Sequence, residues 1–105
     1  MTTFDEREQA FEAKFAHDEE MQFKARARRN KLVGLWAAEL LGKSGSSADD
    51  YAQSVVAADL EEAGHEDVVR KLSGDLGSQA SETKIRSKLQ ELMPQAQEEI
   101  LSEAG

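Results

Sequence analysis

The sequence predicts an all-α protein, a four-helix bundle with a long N-terminal helix or arm that extends beyond or frays from it. Three observations carry that expectation. Good helix formers (Ala, Leu, Glu, Lys, Gln, Arg) dominate, and β-branched runs stop at Val55-Val56 and Val68-Val69. Nowhere do apolar and polar residues alternate long enough to mark a strand. Pro94 is the only proline, and glycines and serines cut the 105 residues into four segments.

The first segment runs from about Thr3 to Leu41. Thr3 and Glu6 have capping-box spacing, and Asp5 and Glu6 suit the positive end of a helix dipole. Gly42 is a natural residue to end the helix, and Lys43 to Ser47 reads as a loop. A second helix is expected over about 48–63, capped by Ser46 or Ser47, with Tyr51, Val55, Val56, Leu60 and Ala63 on its apolar face. A third, over about 66–76, repeats Val68, Val69, Leu72 and Leu76 at helical spacing and closes at Gly77. The fourth, over about 82–103, carries Ile85, Leu89, Leu92, Met93, Ala96 and Ile100 on one stripe. Pro94 lies inside that stripe, where it removes an amide and crowds the carbonyl of Gln90, so a kink or a split helix is expected.

Lengths divide the chain further. A helix from residue 4 to 41 would span roughly 57 Å, whereas the other three reach only roughly 18–33 Å. Some of the first helix must therefore overhang, fray or fold back. Before Leu32 there is no Leu, Ile or Val; from Leu32 onward there are seventeen, and all four phenylalanines lie in the first 23 residues. The core-forming end of the first helix reads as Leu32, Val33, Leu35, Trp36, Leu40 and Leu41. Residues 1–20 hold seven acids and two bases, a net of −5, and residues 21–31 hold Lys24, Arg26, Arg28, Arg29 and Lys31 with no acid. The expected organisation is an arm over 1–20 and a single bundle domain over 21–105.

Within the arm, Phe4, Phe11 and Phe15 fall within about 40° of one another on a helix, a narrow aromatic seam on a charged rod. Either the arm folds back and the seam covers the bundle, or it is a ligand whose anchors enter a partner's hydrophobic groove. An isolated helix of this length and charge is marginal in water, which suits folding on binding. The basic stretch reads as solvated helix surface or as a salt-bridging face for an acidic partner.

Other functions are disfavoured. The formal charge of −8 argues against nucleic acid and anionic membranes, and no apolar run approaches the ~18 residues of a membrane span. Met1-Thr2-Thr3 does not begin a signal peptide, so a soluble, cytoplasmic protein is expected. There is no cysteine, hence no disulfide, thiolate site or thiol nucleophile. Gly42-Lys43-Ser44 resembles the end of a P-loop, but position 37 is alanine where glycine is required. Glu62 and His65 have di-iron spacing, yet Gly64 breaks the helix between them and no second copy exists. His65 reads as a helix-boundary residue. His17, beside Asp18, Glu19 and Glu20, is in a setting that favours the protonated ring and would make the arm mildly pH-responsive. No catalytic residue, metal site or cofactor is expected, and no enzyme activity.

Thr3-Phe4-Asp5-Glu6-Arg7, Glu12-Ala13-Lys14-Phe15-Ala16-His17-Asp18, Ala27-Arg28-Arg29-Asn30-Lys31-Leu32, Gly34-Leu35-Trp36-Ala37-Ala38-Glu39 and Glu61-Glu62-Ala63-Gly64 resemble the zeta inhibitor subunit of bacterial F-type ATP synthases. The resemblance covers essentially the whole chain and is most specific from Thr3 to Gly42. It implies a four-helix protein whose N-terminal arm enters the catalytic headpiece and blocks ATP hydrolysis while the bundle stays outside. Phe4, Phe11 and Phe15 become the anchors, and Glu6, Arg7, Glu12 and Lys14 polar contacts with catalytic, non-catalytic or rotor subunits. Lys24, Arg28 and Arg29 become the hinge or junction. The protein would be a monomer when free and peripheral to the membrane-bound enzyme. The alternative is a small nucleotide-sensing protein in which Arg28, Arg29 and Lys43 weakly hold ADP or ATP phosphates, with little or no inhibitory activity.

Overall fold

A computed structural model of the chain describes residues 19–59 and 66–104. These form α1 (Glu19–Leu40), α2 (Gly45–Asp59), α3 (Glu66–Leu76), a 3₁₀ turn (Gly77–Gln79) and α4 (Glu82–Ala104), with no strand among the described residues. The fold is an all-α bundle.

The helix ends follow their local chemistry. Gly42 adopts φ +77°, and the amides of Gly42 and Lys43 donate to the carbonyls of Glu39 and Ala38 at 3.1 and 2.9 Å. This is a Schellman motif, and it closes α1 where the glycine predicts. Gly45 also lies in the left-handed region, φ +59°, and α2 starts there instead of at Ala48. Ser46 and Ser47 are thus in the first turn and not at the cap. The expected end of α2 at Ala63 lies outside the described residues. Before α4, Ala80 is extended and Ser81 caps the helix, its Oγ accepting from the Lys84 amide at 3.1 Å.

Helix α4 does not split at Pro94. The residues on either side of the proline, Ile85, Leu89, Ala96 and Ile100, are all buried on one face, so packing holds both halves in register. Pro94 and Gln90 are themselves exposed, which leaves the freed Gln90 carbonyl open to water.

Helix α1 is the centre of the bundle. It packs against α2 and α4 and touches α3, and it supplies most of the interhelical contact. The main core joins Val33, Ala37, Val55, Val68, Val69, Leu72, Leu76, Ile85 and Leu89, flanked by Trp36 and Tyr51. A second, smaller cluster joins Met21 and Ala25 at the start of α1 to Ile100 near the end of α4. Polar ties link the shorter helices. The Tyr51 hydroxyl donates to Asp75 Oδ2 at 2.7 Å and Lys71 Nζ reaches the same oxygen at 3.1 Å, while Arg86 grips Glu66 through two 2.9 Å bonds.

The large aliphatics of α1 are not its buried face. Of Leu32, Val33, Leu35, Trp36, Leu40 and Leu41 only Val33 is fully buried, and Leu40 is exposed. The buried positions are Met21, Ala25, Arg29, Asn30, Val33, Gly34, Ala37 and Ala38. Small residues prevail because α1 and α2 nearly touch: a Cβ on Gly34 would sit 2.8 Å from the Ala52 Cα and 3.3 Å from the Val55 Cβ.

Two glycines should therefore respond to alanine with opposite signs. Gly34→Ala gains ~1 kcal/mol of helix propensity but forces two backbones apart, with a net loss of about 1–3 kcal/mol. A Cβ on Gly74 in α3 meets nothing within 4 Å, so Gly74→Ala should stabilise by about 0.5–1 kcal/mol. Urea unfolding of both variants, followed by helical circular dichroism, checks the pair. Shifts of the same sign would refute the close crossing at Gly34.

Candidate functional site

Phe4, Glu6, Arg7, Phe11, Glu12, Lys14 and Phe15 lie outside the described residues, as do His17, Glu62 and His65. What the structure describes is the root from which that segment departs, the first half of α1, where the basic residues fall.

Those cations are mostly committed within the fold. Glu99 and Glu103 are four residues apart on α4 and present both carboxylates to one guanidinium. Arg28 Nη1 donates to Glu99 Oε1 at 2.7 Å, and Nη2 donates to Glu103. Gln95 Nε2 donates to the other Glu99 oxygen at 3.0 Å. The Arg28 bond, reinforced by Gln95, holds the Glu99 carboxyl below the usual carboxylate range, and the two glutamates hold Arg28 above its ordinary value.

On the other flank, Arg26 Nε donates to Asp59 Oδ2 at 2.8 Å, at the last described residue of α2. Asp59 is only 3% exposed. Arg29, one turn on, is also buried, and its Nε and Nη2 donate to Asn30 Oδ1 at 3.2 and 3.0 Å. Burial pushes the Arg29 guanidinium down, the Asp59 charge opposes this, and the group stays protonated. Among the described residues Asn30 Nδ2 and Asp59 Oδ1 have no hydrogen-bond partner. The stretch is thus neither solvated surface nor a free face for an acidic partner: Arg26, Arg28 and Arg29 turn to α2, α4 and the interior. Only Lys24, paired with Glu20 at 3.1 Å, and Lys31 face outward.

Helix α1 runs unbroken through Lys24, Arg28 and Arg29. Of the three residues considered for phosphate, Arg28 is held by two carboxylates, Arg29 is buried, and Lys43 lies past the glycine that closes α1. Among the described residues no group of acids and histidines could hold a metal, and no helix is long and apolar enough to cross a membrane.

Sequence reasoning missed Asn30, Asp59, Glu99 and Glu103 as partners. Arg26 and Asp59 are 33 residues apart and Arg28 and Glu99 are 71 apart. The usable hint was an acid-free basic run set against a Glu-x-x-x-Glu pair on a C-terminal helix of matching length.

The Arg28 clamp has a pH signature. A carboxyl whose folded pKa is depressed contributes stability above its unfolded value, about 4.3 for Glu, and loses it as pH falls through the folded value. Arg28→Met should cost about 1 kcal/mol at pH 7, the scale of a partly exposed ion pair. That difference from the parent should shrink as pH drops from about 4.5 toward 3. Thermal unfolding of both chains across that window checks it; a constant offset would mean the carboxylates are not the partners that matter.

The family model described as ATPase inhibitor subunit zeta matches residues 1–99. No curated protein matches the chain. A protein whose structure was solved in solution by NMR is 58% identical, with a TM-score of 0.74 over 79% of this chain and 98% of the other.

Proposed function

The chain belongs to the ATPase inhibitor subunit zeta family, and from that premise we propose that residues 1–20 are the inhibitory element, inserting as a helix into the catalytic headpiece of an F-type ATP synthase. Membership supports an ATPase-inhibitor role in general and agrees with a chain that performs no catalysis. The observation that carries the finer reading is that the family match begins at residue 1. It therefore includes the acidic segment with its seam of Phe4, Phe11 and Phe15.

The mechanism is mechanical obstruction. Catalytic clefts between subunits open and close as the rotor turns. A helix anchored there by three aromatic rings must be expelled or must stop the cycle. Glu6, Arg7, Glu12 and Lys14 would pair with cleft or rotor side chains, fixing orientation more than affinity. The bundle stays outside on the headpiece, with the Arg28 clamp and the Met21–Ala25–Ile100 cluster holding the root of the segment rigid. Insertion favoured in the hydrolysis direction would make the block one-way. The working location is the cytoplasmic side of the membrane-bound synthase.

The test is ATP hydrolysis by the cognate purified ATPase, titrated with the full chain and with one starting at Met21. Inhibition by the first and none by the second, with the shorter chain still helical, supports the proposal. Equal inhibition by both would move the blocking element into the bundle, and inhibition by neither would leave the family fold without this activity.

A further inference from the structure

We propose that the outer side of α1 at Phe23, Lys24 and Lys31 is a second docking surface, which seats an acidic, apolar-tipped patch on the outer wall of the ATPase headpiece. The proposal rests on the inhibitory role proposed for residues 1–20 and names where the bundle meets the same partner.

Three helices build the surface. A groove of about 380 Å³ is lined by Phe23, Ala27 and Lys31 of α1, with Val56 of α2 and Ile100 of α4. Phe23 stands 53% exposed, next to half-buried Val56 and buried Ile100. A lone exposed aromatic is ordinary; one set at the edge of an aliphatic hollow offers a partner side chain a place to lose its water.

The edge of the hollow is cationic. Lys24 also lines it, and Lys24 and Lys31, seven residues apart, project from the same side of α1. Lys31 makes no ion pair among the described residues. Lys24 pairs with Glu20 across a bridge more than half exposed at both ends, which a partner's carboxylate exchanges at little cost. Glu103, on the same groove, is bound to Arg28. In a chain of net charge −8 this is a local reversal of sign, and it selects a partner that is acidic around an apolar tip.

A bilayer fits less well. Membrane-binding patches gather about four to eight basic residues, and the net charge of this molecule is repelled by anionic lipid. Position selects the ATPase. Phe23 lies four residues past Glu19, about 6 Å along the helix, and Lys31 about 18 Å. Once residues 1–20 are held by the headpiece, this end of α1 is carried to the wall beside the point of entry. Met21 and Ala25 are buried there within the bundle, so the groove is the apolar surface left to meet the wall.

The test compares full-length variants for binding to the cognate purified ATPase fixed on a biosensor, each first checked for parental helix content by circular dichroism. F4A/F11A/F15A should retain a weak, salt-sensitive association. Adding F23A/K24Q/K31Q should weaken that association at least about tenfold; equal binding by the two overturns the proposal. Should the combined variant lose helix, Phe23→Ala alone in the same background carries the comparison, with about a fivefold loss expected and no loss overturning it. In the otherwise unchanged chain, K24Q/K31Q should slow association about threefold at about 20 mM salt and little at about 300 mM. The same rate at both salts for variant and parent would refute recognition by charge. Sedimentation of the full chain with phosphatidylglycerol vesicles, lost in F23A/K24Q/K31Q, would assign the surface to lipid and overturn the proposal. Binding is read apart from hydrolysis. A seam variant that still blocks hydrolysis would sink the role given to the aromatic seam, while the Phe23, Lys24 and Lys31 comparison would stand or fall by itself.

Discussion

Replacing Phe4, Phe11 and Phe15 together with alanine is expected to weaken inhibition of the ATPase by at least about 100-fold. Buried aromatic anchors cost about 1–2 kcal/mol or more each when truncated, and 1.4 kcal/mol is about tenfold in affinity. Three such losses, about 3–6 kcal/mol if they add, amount to about 100-fold or more. The effect should appear chiefly as faster escape of the inhibitor, since anchors govern residence time more than encounter. The bundle should keep its stability, since the main core and the Met21–Ala25–Ile100 cluster join described residues of all four helices to one another. Hydrolysis rates at graded inhibitor concentrations, with thermal unfolding of the same variant, give both halves of the result. A triple variant that inhibits normally would remove the aromatic seam from the mechanism.

The largest single effect on stability should come from Asp59. It is the carboxylate bonded to Arg26 and the charge that opposes the burial of Arg29. Asp59→Ala removes the carboxylate that faces two guanidinium groups at a helix crossing, one of them buried. Removing one member of a buried pair costs about 3–5 kcal/mol, and partial exposure of Arg26 places this case near about 3 kcal/mol. For a domain of this size that lowers the melting temperature by roughly 10–20 °C. Asp59→Asn keeps an acceptor for Arg26 and should lose less, about 1–2 kcal/mol. Trp36 is the only tryptophan and lies against the main core, so its fluorescence follows the transition. A loss below about 1 kcal/mol for Asp59→Ala would show that water already satisfies the cluster.

What the sequence disclosed depends on how local each signal is. Gly42, Ser81 and Gly77 act within a turn of themselves, and the helix ends they predict are where the structure has them. Gly45 carries the same kind of information, but two following serines compete with it as caps, and the start of α2 was displaced by three residues. The aliphatic tally misread α1, because a helix that crosses its neighbour at Gly34 buries alanines and leaves leucines at the margin. Alanine is helical everywhere and marks no face. The basic stretch misled for a related reason: Arg26, Arg28 and Arg29 look like surface until partners 33 and 71 residues away are placed beside them. The aromatic seam of residues 4–15 is a reading of local spacing alone and lies outside the described residues.

The central position of α1 has a consequence for how the molecule bears load. A pull on the chain ahead of Glu19 runs along the axis of α1, which is packed lengthwise against both α2 and α4 and pinned by ion pairs to each. Such a helix cannot be peeled off one contact at a time. Its interfaces must slide together, in shear, and the Gly34–Ala52 crossing resists that sliding because any bump on either helix meets backbone. If residues 1–20 act as proposed, a motor dragging on them would load the whole bundle in parallel, and the small domain would serve as a tether head that stays folded while force passes through it.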